Sequence, residues 1–423
     1  MSKREKAISI DTLSMRQLIE FDACTRCGEC LDLCPTYSVS EENEAITPRG
    51  KIQSFKDLIR SQYGLRARIF GPKPISHEDM VRISEAIYMC STCGQCRVVC
   101  PSKIETVELW ESGLRRLLVK EGVGPLEAHD PLIKSINNYD NPWMQPRTAR
   151  DKWAKPLQKA AKKAKLPNPV KNFAKEGGEI LYFVGCTASY DVNLKQVAIN
   201  TSEILNKAGV DFGIFGTKEK CCGSTLLRMG DWEGFERLAK DNIELFKEHN
   251  VRTIITSCAG CFKTIKEDYA LVEKLDIRVM HTVELLEELI RDGRLKLTEP
   301  LEMKVTYHDP CHLGRHTGVY DAPRNVLGMV PGIEFVEMER NRENSYCCGA
   351  GGGQKTAFPD IVKKISEVRV DMAETTGASV IAHACPFCYQ GLEAAVKSKG
   401  SAIKNMDITE IVNMSSGKEE NSD

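Results

Sequence analysis

One phrase occurs twice in this chain, a doubled cysteine followed by glycine: Cys221-Cys222-Gly223 and Cys347-Cys348-Gly349. Each lies in the middle of a five-cysteine set. The first set is Cys186, Cys221, Cys222, Cys258 and Cys261, and the second is Cys311, Cys347, Cys348, Cys385 and Cys388. Corresponding members are 125 to 127 positions apart, which marks an internal repeat. Five thiolates exceed what tetrahedral zinc needs. Neighbouring cysteines such as Cys221 and Cys222 project in different directions and suit two metals, or a bridging sulfur, better than one ion. An iron–sulfur cluster distorted from a cubane would use the surplus ligand and leave an iron open to an external sulfur. Zinc and a redox dithiol stay open as alternatives on this chemistry alone.

Upstream are two runs of another kind. Cys24, Cys27, Cys30 and Cys34 precede Pro35, and Cys90, Cys93, Cys96 and Cys100 precede Pro101, both as C-x2-C-x2-C-x3-C-P. Three closely spaced thiolates cap three irons of one cubane, while the fourth points to the partner cluster. That logic assigns Cys24, Cys27, Cys30 and Cys100 to one [4Fe–4S] cluster and Cys90, Cys93, Cys96 and Cys34 to the other. Zinc fits poorly, because it favours four ligands as separated C-x-x-C pairs. Two adjacent cubanes make a path for electrons, with no substrate pocket required.

The elements that must hold these residues can be read in outline. The chain has 423 residues, 42% hydrophobic and 28% charged, with a net charge of −1. This suits a globular protein of several domains and argues against general nucleic-acid binding, which needs a basic footprint. The N-terminus lacks the apolar stretch of a secretory signal, and no run of about 18 apolar residues exists to span a bilayer. Eighteen cysteines without an export signal point to metal ligation over disulfides. Residues 46–89 carry helical periodicity at Ile52, Phe55, Leu58 and Ile59, and 104–123 read as a further helix, so the first module is expected to be a mainly helical ferredoxin domain. Residues 140–178 are interrupted by Pro142, Pro146, Pro156, Pro167 and Pro169. Between Pro146 and Lys175 they carry ten Lys/Arg, Arg150 and Lys165 among them, against Asp151 alone. This stretch reads as a solvated linker, or as a basic surface for anionic lipid or an acidic partner. In the repeats, strands are expected at 181–185, 211–215 and 253–257, then at 305–308, 334–338 and 379–384, alternating with helices. The fold class is therefore α/β plus a mainly helical ferredoxin domain, with two tandem parallel α/β cysteine-rich domains as the repeat. Ligands gather beyond the carboxyl ends of such strands, where Cys186, Cys258, Cys311 and Cys385 fall. The expected division is 1–125 ferredoxin domain, 126–178 linker, 179–295 and 303–412 the two cysteine-rich domains, and 413–423 a polar tail. The run Gly349-Ala350-Gly351-Gly352-Gly353 lacks Walker spacing and reads as close backbone approach to a cluster.

A cysteine, a long gap, Cys-Cys-Gly, a second long gap and C-x-x-C resembles the cysteine-rich domain of heterodisulfide reductases. Two ferredoxin runs ahead of two such domains resemble the D-type family of subunits in the membrane-linked enzyme of methanogenic archaea. The likeness covers about residues 20–400 and includes Asp22–Cys30, Pro35–Tyr37, Tyr63–Gly71 and Thr106–Glu111. It implies two cubanes and, on each complete five-cysteine set, a noncubane [4Fe–4S] cluster, the pair facing one substrate cavity. It also implies reduction of the coenzyme M–coenzyme B heterodisulfide with electrons from a membrane cytochrome b subunit of the E type. The location implied is cytoplasmic, peripheral on the inner face of the cell membrane through that partner. His308, His312, His316 and His383 flank cluster cysteines and are expected as proton donors or orienters, with a structural role for each as the alternative. Lys220, Lys263 and Arg315 are expected anion contacts, with a surface role for each as the alternative. Rival readings are an electron-relay subunit of a flavin-linked glycolate or lactate oxidase, a menaquinol-linked relative, or a zinc-binding scaffold.

Overall fold

Thr47 accepts from the Gly50 amide at 3.0 Å and Pro48 occupies the first turn, so the helix Pro48–Tyr63 begins where its free amides are satisfied. Its apolar positions Ile52, Phe55 and Leu58 share one face and enter a core with Phe21, Met80, Ile87, Trp110, Leu114 and Leu117. In the computed structural model, which describes residues 8–40, 43–163 and 169–417, this core belongs to the first of two compact units. That unit contains the chain up to Asp130 together with Thr225–Phe235 and Cys347–Ser366. It is helical, with Met15–Asp22, Leu65–Phe70, His77–Tyr88 and Gln95–Val99 beside the helix already named. The expected helix at 104–123 forms as Thr106–Glu108, a π-helical Leu109–Arg115 and Arg116–Lys120 in succession.

The second unit contains Pro131–Ser224, Glu236–Tyr346 and the chain from Glu367 on. Its first sheet is built from β1 (Lys171–Asn172), β2 (Ile180–Tyr182), β3 (Phe212–Ile214), β4 (Thr253–Thr256) and β5 (Arg278–His281), in the order β1-β3-β2-β4-β5. Its second comprises β6 (Met303–Tyr307), β7 (Ile333–Val336), β8 (Val380–His383) and β9 (Lys404–Asp407), in the order β7-β6-β8-β9. Every pairing is parallel. Leaving aside β1, the two orders are identical, so the sequence repeat is also a repeat of topology. In each sheet the first strand of the repeat lies between the second and third. The chain therefore reverses direction across β2/β4 and across β6/β8, and a crevice opens beyond their carboxyl ends.

The repeats pack on each other reciprocally. The helix Lys195–Lys207, which follows β2, packs on Ile408–Ser415, which follows β9, and Thr282–Arg291, after β5, packs on Asp321–Met329, after β6. Lys207 Nζ donates to Asn413 Oδ1 at 2.9 Å in the first contact, and Asn325 Nδ2 to Glu287 Oε1 at 2.7 Å in the second. This is the isologous pattern of a two-fold dimer, written within one chain.

Residues 140–178 differ from the expected structureless linker. Lys155–Lys163 is a helix, and β1 adds an edge strand to the first sheet. Pro156 sits in the first helical turn, where no amide is needed, so it starts an element there. Lys165 and Pro167 lie outside the described residues, as do the first seven residues and 418–423 of the expected polar tail. Residues 408–415 of the C-terminal end form a helix. Among the described residues, no helix is long and apolar enough to cross a membrane.

Candidate metal centres

In the helical unit, the eight cysteines of the paired runs line two spaces. Cys24, Cys27, Cys30 and Cys100 line one, and Cys34, Cys90, Cys93 and Cys96 line the other. Cys96 borders both. Cys34 is thus grouped with the distant run. Burial pushes its thiol up to about 11, and the neighbouring Cys90 and Cys93 add to that rise. The turns that carry the thiols are alike: Arg26 (φ 61°) and Thr92 (φ 52°) occupy the same place in each C-x-x-C and are both left-handed. Cys27 is exposed and Cys93 is buried.

Arg115 is wholly buried in this unit, and its partners are backbone carbonyls: Arg228 at 2.5 Å, Gly352 at 2.7 Å, Cys90 at 2.8 Å and Ile87 at 3.1 Å. It thereby fastens the loop of the second cysteine run to the segments that follow both Cys-Cys-Gly phrases. Ser91 Oγ lies 3.5 Å from Cys347 Sγ. Gly352, at φ 61°, is where the glycine run closes on this loop: a Cβ there would stand 2.5 Å from the Cys90 carbonyl. The glycines thus admit a close approach to the loop that carries Cys90.

In the α/β unit the first five-cysteine set is assembled at the β2/β4 crevice. Cys186 opens a helix after β2, Cys258 caps the helix Ala259–Lys266 after β4, Cys261 lies in that helix's first turn, and Cys221-Cys222 come from the loop after β3. A side chain at Gly185 (φ 76°) would come 3.2 Å from Cys261 Sγ. The thiols follow one another in a row, Cys186, Cys221, Cys222, Cys261 and Cys258, each close enough to the next to shift its proton affinity. The row continues into the second repeat, from Cys258 to Cys385 and then Cys388. Cys258 and Cys385 are equivalent positions, so their meeting marks the two-fold relation between the repeats. Cys221 and Cys261 both bond to Cys222 and lower its thiol to about 6. Cys258 and Cys388 lower Cys385 in the same way. Each repeat therefore contributes one thiol to the row that loses its proton readily.

Cys311 lies beyond β6, with His312 Nδ1 at 3.4 Å from its Sγ. Cys347 and Cys348 belong to the helical unit, where the Gly349 amide donates to Cys347 Sγ at 3.3 Å and Ser366 Oγ to the Cys348 carbonyl at 2.7 Å. His308 is buried, and burial, with the Arg369 cation, lowers it to about 3. Its Nδ1 accepts from Arg369 Nε at 3.0 Å, which leaves the ring proton on Nε2. A ring nitrogen of His308 and Cys388 Sγ lie within 4.8 Å of each other. His383, also buried and lowered to about 3, has Nδ1 3.6 Å from Asp407, whose carboxyl burial raises to about 7. His312 and His316 stack with ring centres 4.4 Å apart.

The three expected anion contacts are engaged inside the protein. Lys220 pairs with Asp241 at 2.7 Å, Lys263 pairs with Asp268, and Arg315 donates to the Ser345 carbonyl at 2.5 Å. Sequence reasoning passed over Arg150, Glu219, Ser91 and Arg115. Arg150 is 1% exposed and directs both terminal nitrogens at Cys186 Sγ, 3.6 Å away.

This donor set fits iron–sulfur clusters. None of the eighteen cysteines is in a disulfide, the ten of the repeats are buried, and backbone amides aim at sulfur at Cys90, Cys221 and Cys347. Buried thiols arranged so that some shed their protons, with N–H donors turned to sulfur, are what cluster ligation requires.

The cysteine-rich domain family matches residues 180–266 and 305–393, and the 4Fe-4S dicluster domain family matches residues 20–104. Over 419 residues the chain is 41% identical to the D subunit of dihydromethanophenazine:CoB–CoM heterodisulfide reductase from Methanosarcina acetivorans, covering 97% of this chain and 98% of that one. The protein of the same name from Methanosarcina mazei is 41% identical over 397 residues, 93% of each chain. The EtfAB:quinone oxidoreductase of Syntrophomonas wolfei is 32% identical over 432 residues, which are 96% of this chain and 59% of that longer protein. A dicluster domain ahead of a tandem pair of cysteine-rich domains makes this chain an iron–sulfur oxidoreductase. It belongs to the family of heterodisulfide reductase D subunits.

Proposed function

We propose that this chain is the catalytic subunit that reduces the coenzyme M–coenzyme B heterodisulfide to its two thiols. The observation that carries this reading is the approach of Cys258 to Cys385, equivalent members of the two cysteine sets. A disulfide offers two sulfurs, and a centre with two like sides suits it. In this reading Cys24, Cys27, Cys30 and Cys100 hold one [4Fe–4S] cubane, and Cys90, Cys93, Cys96 and Cys34 hold the other. Cys186, Cys221, Cys222, Cys258 and Cys261 hold one noncubane [4Fe–4S] cluster, and Cys311, Cys347, Cys348, Cys385 and Cys388 hold the second. The clusters would supply one-electron storage at neighbouring places, two electrons being needed for one S–S bond. The domain division is read as 1–125, 126–178, 179–295, 303–412 and 413–423.

The chain's own groups handle sulfur and protons. Cys222 and Cys385 are the two thiols whose proton affinity their neighbours lower, and the amides at Cys221 and Cys347 orient the sulfurs. Two protons must reach the product thiolates. His308, with its proton on Nε2 and Cys388 nearby, is the best placed of the four histidines. His383 is its neighbour, and His312 and His316 lie beside Cys311. Electrons come from a membrane cytochrome b subunit, and the chain sits in the cytoplasm, peripheral on the inner face of the membrane through that partner. Likeness to EtfAB:quinone oxidoreductase favours a second reading, a relay of electrons from a flavoprotein with no disulfide substrate. The two separate in one experiment. Anaerobically purified protein with its partners is given reduced viologen and the coenzyme M–coenzyme B disulfide. Stoichiometric thiol release is expected, whereas reduced clusters without thiol release would overturn the catalytic reading in favour of the relay.

A further inference from the structure

Arg150 lies in a stretch whose basic residues read as a solvated face, yet it is buried. Its Nη1 and Nη2 both end on one sulfur, Cys186 Sγ, at 3.6 Å. Behind them, Nε donates to Glu219 Oε1 at 3.1 Å and Nη2 to the same oxygen at 2.5 Å. Tyr190 closes one side, its ring centre 5.7 Å from the guanidinium carbon. Glu219 is itself fixed by the amides of Val184 at 3.1 Å and Gly185 at 2.9 Å, the residues that lead into Cys186. The guanidinium is therefore held in one orientation, aimed at the sulfur. Removing a guanidinium from water costs several kcal/mol, an amount offset only where its donors meet charged acceptors. Glu219 is one such acceptor. A neutral thiol is a weak acceptor and a thiolate a strong one, so the geometry is made for sulfur that carries negative charge.

We infer that Arg150 is a positioning residue that acts through Cys186 to raise the reduction potential of the first five-cysteine site. The inference rests on the reading that this set holds an iron–sulfur cluster. Hydrogen bonds and positive charge at a cluster sulfur stabilise the more negative, reduced state. Cys186 ends the thiol row, at the opposite end from Cys388, so the effect is local to the first site. An electron shared between the two repeats is thereby drawn towards the first.

The test is a redox titration of the full chain, purified anaerobically with its clusters and followed by EPR and absorption. Cys186→Ala identifies the first-site component as the one it removes. In Arg150→Gln that component should become harder to reduce by at least tenfold in its reduced-to-oxidised ratio at fixed potential, which is 59 mV for one electron. The other components should stay in place, and Arg150→Lys should recover most of the shift. Full iron content with unmoved potentials in Arg150→Gln overturns the inference. Should that variant fail to fold, with Glu219 left unpaired, Arg150→Gln/Glu219→Gln is compared with Glu219→Gln, a pair that differs only at residue 150. The same tenfold difference is expected, and equal potentials overturn the inference. Failure of the underlying reading shows differently: Cys186→Ala would then remove neither iron nor any component, and this inference would fall with it.

Discussion

At the scale of single residues, the cysteines could be read because iron–sulfur chemistry fixes their spacing in sequence. C-x2-C-x2-C-x3-C-P is a local geometric requirement and survives without knowledge of the fold. Arg150 had no such mark. It is one basic residue among ten, and its burial beside Cys186 follows from long-range packing that no local pattern encodes. The same blindness made Lys220, Lys263 and Arg315 look available to a ligand, though each is committed to a partner within the protein. The most testable claim at this scale is the crossed ligand. Cys34 shares its space with Cys90, Cys93 and Cys96, and not with its own run. Cys34→Ala is therefore expected to lose up to about four irons per chain, with the EPR component of the Cys90 run affected and that of the Cys24 run kept. Loss of the Cys24 component alone would reverse the assignment.

At the scale of elements, the parallel α/β repeats were legible because their inner strands are apolar and β-branched and end on cysteines. The strands that went unseen are β1, β5 and β9. β1 and β9 are short and mostly polar, as in Lys404-Asn405-Met406-Asp407, and β5 has only Val279-Met280 between Arg278 and His281, so neither length nor periodicity sets them apart from loops. Their register comes from the neighbours they pair with. The π-helical turn Leu109–Arg115 is equally silent in sequence, yet it ends on Arg115, whose guanidinium serves four carbonyls from three segments. A buried carbonyl left without its donor costs about 1–3 kcal/mol, and the relief from desolvating one cation offsets part of the sum. Arg115→Leu is accordingly expected to destabilise the helical unit by about 2–4 kcal/mol, measured by denaturant unfolding followed through tryptophan fluorescence. It should also broaden the EPR component of the Cys90 run, because the Cys90 carbonyl loses its anchor. An unchanged unfolding midpoint would mean that the loops are held by other contacts.

At the scale of the whole chain, the question is why the cysteine-rich domain is present twice. A relay needs centres in line and gains nothing from a second complete five-cysteine set related to the first by a two-fold. Reductive cleavage of a disulfide has a different requirement: two sulfurs must be accommodated together, and two electrons must arrive before either product leaves. The reciprocal packing of the repeats brings Cys258 against its own equivalent, Cys385, and gives each repeat one readily ionised thiol in the shared row. Two cooperating halves fail together when either is lost. Cys222→Ala and Cys348→Ala are each expected to abolish heterodisulfide reduction, a loss of at least about 1000-fold if both halves act in one transition state. Dithionite should still reduce the two cubanes in both variants to the same extent as in the parent protein. A relay would behave otherwise: the variant lacking the site farther from the acceptor's path would keep part of its turnover. The parent protein, oxidised, would also give no spectral response to coenzyme M. Residual activity in one variant together with that spectral silence would transfer the chain to the relay reading, with a flavoprotein as the partner to seek.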